Sequence, residues 1–287
     1  MKINNILCTT AQLHNCTTAQ LHNCTTANKI TSYLALIVTA IANSVSKQRS
    51  YIKQQTMPLK NCFIFWSLFL SLCSFSASAA SPVSDFTYEI LEGQVTITAY
   101  TGSDEHVVIP SEIEGLPVRA IGETLEEYFA DPEGFGYAFA LNDTLKSVVI
   151  PDTVELLGAM SFMSCDALET IQFSTNLRVI DGNAFFYCLA LKEVILPDSF
   201  QEFGEGAFHA CYALEKVKLP ANLERISDRC FMTCTNLAEI DLPNTVREIG
   251  EEAFRLCTKL PSVDLSNIQT LKAGAFAGCF QLENVAI

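Results

Sequence analysis

Twelve cysteines in 287 residues are the side chains best able to do chemistry. A thiolate can attack, be oxidised or hold a metal, but each role needs company: a base or cation, a second thiol, or further ligands at compact spacing. Cys165, Cys188, Cys211, Cys234, Cys257 and Cys279 each stand three residues after a phenylalanine, so six of the twelve fill one recurring slot. Asn142 fills that slot three residues after Phe139, and both residue types can face inward and hydrogen-bond backbone in a tight turn. On that reading Asn142 is buried, and the formal glycosylation sequon Asn142-Asp143-Thr144 is discounted. His209-Ala-Cys211 and Cys230-x-x-x-Cys234 do not make a four-ligand zinc set. Upstream, Cys8, Cys16 and Cys24 accompany His14 and His22 in a tandem octamer without compact ligand spacing. There is no H-E-x-x-H, P-loop or G-x-S-x-G motif, and Gly204-Glu-Gly206 is part of a repeated turn. The sequence predicts buried free thiols, no catalytic residue, no metal and no cofactor: a protein that is not an enzyme.

The elements that hold these slots lie in the second part of the chain. Residues 1–80 carry six Lys or Arg and no acid, whereas residues 81–287 carry 12 basic and 32 acidic residues. These two parts cannot belong to one domain. The acidic part argues against nucleic acid and anionic lipid as partners, because phosphate contacts need Lys and Arg.

Lys60 precedes an apolar run from Cys62 to Cys73, and Ala77-Ser78-Ala79 follows as a small-residue cleavage signal. That layout predicts a secretory signal peptide over 57–80 and no stable membrane span after its removal. The octamer Cys8-Thr-Thr-Ala-Gln-Leu-His-Asn15 is duplicated at once, so residues 1–56 read as a non-native low-complexity segment, with Met57 as the expected start. The protein is expected to be secreted or at the cell surface.

From Leu145 the sequence repeats every 23 residues, with starts at Leu168, Leu191, Leu214, Leu237 and Leu260 and a last one at Leu282. Each unit opens L-x-x-[VI]-x-[ILF], as in Leu191-Lys-Glu-Val194-Ile-Leu196, and Pro151, Pro197, Pro220 and Pro243 follow. A second apolar position recurs at Leu157, Ile180, Phe203, Ile226 and Ile249, and phenylalanine at Phe162, Phe185, Phe208, Phe231, Phe254 and Phe276. A fixed period of this length marks a solenoid, in which each unit buries its apolar face against its neighbours. The alternating Val194 and Leu196 predict a strand, ended by Pro197. Phe208 and Cys211, three apart, predict one turn of helix or 3₁₀ helix with both side chains inside.

The pattern L-x-x-[VI]-x-[IL]-P…I-G-x-x-A-F-x-x-C resembles the BspA-like, Treponema-type leucine-rich repeat, over about residues 86–287. The resemblance implies an α/β repeat solenoid with a parallel β-sheet on its concave face and short helical turns on the convex side. It also implies an exported or surface-exposed protein that works in adhesion and protein binding, and it supplies no catalytic residues.

Tyr88 to Tyr100 alternates on both sides of Glu92-Gly93, which predicts a capping hairpin within 81–102 ahead of a solenoid over 103–287. The segment between Gly122 and Phe139 is 13 residues longer than its counterpart between Gly158 and Phe162. It is expected to emerge as an acidic loop carrying Glu123, Glu126, Glu127, Asp131 and Glu133, a candidate binding loop. No polar capping unit follows Leu282, so the C-terminal cap is expected to be missing, through a truncated reading frame or, alternatively, because the open end pairs with another chain. Binding is expected at outward positions of the concave strands: Ser147, Val149, Thr170, Gln172, Glu193, Ile195, Lys216, Lys218, Glu239, Asp241, Ser262 and Asp264. Lys216 and Lys218 form a small basic spot beside Glu239 and Asp241, with no aromatic cluster among them. The expected partner is a protein or glycan, with end-to-end self-association as the alternative role.

Overall fold

The computed structural model describes residues 79–130 and 136–286. The segment 1–56, all but the last two residues of 57–80, and Asp131 and Glu133 lie outside the described residues.

One coil shows how the sequence makes its path. In the strand Glu193–Ile195, Val194 is buried and its two neighbours are exposed, the period-two pattern of a half-buried strand. Pro197 has no N–H to continue the ladder, and its carbonyl oxygen accepts the Phe200 N–H at 3.1 Å to close a turn. A second short strand, Glu202–Phe203, buries Phe203. Gly204 then brings the chain against the preceding coil, where a Cβ would lie 2.3 Å from the Gly182 nitrogen. Phe208 and Cys211 turn inward, and Leu214 opens the next coil.

Stacking these coils gives two rows of parallel strands. The first row runs His106–Val108, Ser147–Val149, Thr170–Gln172, Glu193–Ile195, Lys216–Lys218, Glu239–Ile240, Ser262–Asp264 and Asn284–Ala286. The register places like on like: Val148 opposite Ile171, and Val194 opposite Val217. Ladder pairing is interrupted between Gln172 and Glu193, and again between Ile240 and Ser262. At the second break Pro261 stands where the other units carry a residue with an N–H, as at Glu215, which donates to the Lys192 carbonyl at 2.8 Å. The second row begins with the hairpin Phe86–Leu91 and Gln94–Tyr100 and continues through Leu116–Ile121 to the two-residue strands ending at Thr270–Leu271. The recurring apolar position at Leu157, Ile180 and Phe203 is the inward residue of this row.

The expected helical turn after the second row takes a different form. Phe and Cys do point inward, but through two left-handed residues flanking each phenylalanine: Met160 and Ser164, Asn183 and Tyr187, Gly206 and Ala210. The reason is where the amides go. The Phe162 N–H donates to Ala184 of the next coil at 2.8 Å and the Ser164 N–H to Phe186 at 2.7 Å. Amides spent between coils cannot make helix bonds four residues back. A non-glycine residue in the left-handed region costs roughly 1 kcal/mol, offset here by the intercoil bonds.

The core is a set of columns. Rings of Tyr100, Phe139, Phe162, Phe185, Phe208, Phe231, Phe254 and Phe276 form one stack, with successive centroids 4.9 to 5.8 Å apart and planes within 20°. Each buried ring contributes about 2–3 kcal/mol from apolar burial. Beside it run the fully buried leucines 145, 168, 191, 214 and 237. Towards the last coil the columns open, with Leu271 51%, Phe280 81% and Val285 41% exposed.

The long insertion is partly helical, over Leu125–Ala130. Thr124 donates its N–H and Oγ1–H to Glu127 Oε2 at 2.6 and 2.9 Å, and the Glu127 N–H donates to Thr124 Oγ1 at 3.2 Å, a reciprocal capping box. Glu123 Oε2 accepts the Gly136 N–H at 3.0 Å and ties the base of the insertion. Beyond it Ala138 pairs with the strand Gln94–Tyr100, which returns the chain to register.

Candidate functional site

The first strand row gathers the predicted binding residues on one outward face. Thr170, Gln172, Glu193, Lys218, Glu239, Asp241, Ser262 and Asp264 are exposed, and Ser147, Val149 and Lys216 are half-buried. Register and not sequence proximity brings them together: Glu193, Lys216 and Glu239 lie side by side across three coils. Lys216 Nζ is 2.8 Å from Glu239 and 3.9 Å from Glu193, so its charge is matched by both neighbours. The Glu239 hydrogen bond, more than its charge alone, raises the Lys216 pKa. The expected basic spot is therefore one residue and not two: Lys218 makes no ion pair among the described residues. Next to it across the ladder lies Ile195, 51% exposed and without any packing role in the core.

Farther along this face, where Pro261 interrupts the ladder, lies a groove of about 620 Å³. Asp241 and Asp264 border it and Ile240 and Val263 line it. Ser266 donates to Asp264 from its backbone N–H at 2.9 Å, and hydrogen bonds from this serine hold the Asp264 carboxyl below its usual value. The groove's walls are acidic and apolar.

The insertion contributes less than its sequence promised. Glu126 and Glu127 are exposed, but Glu127 is engaged in capping its own helix. Asp131 and Glu133 are outside the described residues.

The thiols face away from all of this. Cys165, Cys188, Cys211, Cys230, Cys234 and Cys257 are buried and unpaired, and Cys279 is half-buried. Burial pushes the Cys165 thiol up to about 12 and the Cys188 and Cys211 thiols well above the usual value. A thiol so raised is neither a nucleophile nor a ready ligand. Among the described residues no three His, Cys, Asp or Glu side chains converge as metal ligands, and no helix is long and apolar enough to cross a membrane.

Two features escaped the reading of the sequence. Asn142 is half-buried and not buried. Its Oδ1 accepts the N–H groups of Thr144 and Leu145 at 3.1 and 3.0 Å and the Thr144 hydroxyl at 3.0 Å. Phe186, Tyr187, His209 and Tyr212 form a ring cluster on the turn face of two successive coils. Its signal was present as departures from the repeat: the place of Tyr187 is held elsewhere by Ser164, Ala210 and Thr233, and that of Tyr212 by Asp166 and Thr235.

With this geometry in view, the BspA type leucine rich repeat region matches residues 136–239 and 178–287, in six copies. Solved structures resemble the chain as well. A leucine-rich repeat protein from T. pallidum is 30% identical, with a TM-score of 0.50 over 64% of this chain and 91% of that one. A leucine-rich repeat protein from Bacteroides capillosus is 27% identical, with a TM-score of 0.39 over 51% of this chain and 99% of that one. The pneumococcal vaccine antigen PcpA is 21% identical, with a TM-score of 0.47 over 68% of this chain and 50% of that one. No curated protein matches.

Proposed function

This chain belongs to the BspA type leucine-rich repeat family, and from that premise we propose that it is a secreted or cell-surface module that binds a protein partner and catalyses nothing. The observation that carries this reading is the first strand row. Its inward residues are spent on the core, and most of its outward residues are exposed along one face of the stacked coils. Ile195 beside Lys218 supplies an apolar contact next to an unmatched cation, the centre and rim of a small interface. The partner then presents an apolar side chain with a carboxylate beside it. The buried thiols, with pKa values raised by burial, argue against nucleophilic chemistry.

The test is capture of partner proteins by the folded chain, compared with a Lys216→Glu/Lys218→Glu variant. The reading predicts that captured proteins are lost from the variant. Unchanged capture removes the strand row from consideration.

A further inference from the structure

We propose that the ring cluster on the turn face is a second binding site, one that takes the flat face of a neutral pyranose sugar. Phe186 and Tyr187 pack at 4.5 Å and 78°, Phe186 and His209 at 4.9 Å and 58°, and Tyr187 and Tyr212 at 6.0 Å and 89°. Phe186 and His209 are half-buried, whereas Tyr187 is 39% and Tyr212 36% exposed. The two exposed rings stand perpendicular, so they are not stacked on each other and at least one face of each is left clear of its partner.

Packing of the core does not explain these rings. Tyr187 sits at a left-handed φ of 61°, a conformation that Ala210 and Gly278 hold in the same column with far smaller side chains. The backbone that carries the two tyrosine rings is held in place nonetheless. The Tyr187 N–H donates to the His209 carbonyl at 3.1 Å, and Asn236 Nδ2 donates to the Tyr212 carbonyl at 2.7 Å. The neighbouring Tyr187 phenol, and after it some burial, raises the Tyr212 pKa. Exposed aromatic surface fixed in advance loses little entropy when a ligand arrives.

Size and charge select the occupant. Coils stack about 4.8 Å apart, so a patch two coils wide is far smaller than the roughly 800 Å² per partner of a stable protein interface. It matches one or two sugar rings. The weakly positive C–H groups on one face of a pyranose suit the electron-rich face of an aromatic ring. Asp166, exposed and one coil before the Tyr187 coil, and Asn236 on the far side offer hydroxyl partners. Arg229, whose charge acts on His209, is paired with Glu205 and Glu252, and residues 81–287 carry 32 acids against 12 bases. That balance disfavours sialylated, sulfated or phosphorylated glycans.

This site lies apart from the first strand row and stands whether or not that row binds protein. The experiment titrates the full chain with chitohexaose, cellohexaose and mannohexaose by calorimetry, alongside Tyr187→Ala, Tyr212→Ala, Tyr187→Phe and Lys216→Glu/Lys218→Glu variants. At least one sugar is expected to bind, each alanine variant to weaken it about tenfold, and the phenylalanine and lysine variants to stay within about threefold. In the unsubstituted chain the Tyr187 and Tyr212 ring resonances are expected to shift on adding that sugar, a readout that no folding defect can imitate. Binding by none of the three sugars, affinity that survives loss of both tyrosine rings, or unmoved ring resonances overturns the proposal.

Discussion

Cys188 Sγ lies 3.2 Å from the carbonyl oxygen of Phe162, in the preceding coil. That oxygen already accepts the Cys165 N–H at 3.3 Å, so the thiol takes its second lone pair. The same contact recurs at 3.1 to 3.2 Å from Cys165 to Phe139, Cys211 to Phe185, Cys234 to Phe208 and Cys257 to Phe231. A disulfide would destroy this arrangement. Native protein is expected to expose only half-buried Cys279 to a thiol reagent at neutral pH. Denatured, non-reduced chain is expected to release all seven thiols of residues 81–287. Mass spectrometry of labelled peptides checks both, and a recovered disulfide among these seven contradicts them.

Close approach between coils makes two glycines unequal. Gly204→Ala would drive a Cβ to 2.3 Å from backbone of the preceding coil, whereas Gly93→Ala meets nothing within 4 Å and bears only its φ of 76°. The first is expected to destabilise by about 3 kcal/mol and the second by about 1 kcal/mol. Urea unfolding of the two variants measures the difference.

Ser161 replaces the alanine of its column, and its buried Oγ finds no hydrogen-bond partner. Ser161→Ala removes that unmet group and fills the column as Ala184 does one coil on. The expected gain is about 1 kcal/mol, read as a higher urea midpoint with unchanged slope. A loss of stability would mean that the hydroxyl has a partner after all.

The pH dependence has two limbs. Burial, and then the Arg229 guanidinium, hold His209 below the usual imidazole value. The unfolded state then binds more protons, so this contribution is present above about pH 6.5 and is lost as pH falls through the folded value. His209→Gln is expected to flatten that limb. The second limb lies lower. The Thr175 backbone N–H, donating at 2.8 Å, holds Asp152 down, and Arg255 with Arg229 does the same for Glu252. Their contributions are present above about pH 4 and are lost in stronger acid. Melting temperatures across this range, with and without His209→Gln, test the assignment.

The repeat was readable because its apolar side chains have nowhere else to go. Leu191, Val194, Phe208 and Cys211 recur at fixed spacing, and the columns follow from that spacing. The turn after the second row was not readable in the same way. Phe208 and Cys211, three apart, fit one helical turn equally well, and only the amides bonding to the next coil decide for left-handed residues. Lys216 illustrates the limit for the candidate site. Its charge is plain in sequence, but its neutralisation depends on Glu239, 23 residues away and adjacent only through register. The ring cluster is legible only column by column, because Tyr187 and Tyr212 come from different coils.

The account places recognition on the first strand row, and a photo-crosslinking residue put in turn at Ile195 and at Glu202 tests this most directly. Both positions are exposed, and they lie on the first and second strand rows of one coil. With the folded chain exposed to its partner proteins, crosslinks are expected from position 195 and not from position 202. Crosslinks from position 202 alone, or from neither, contradict it.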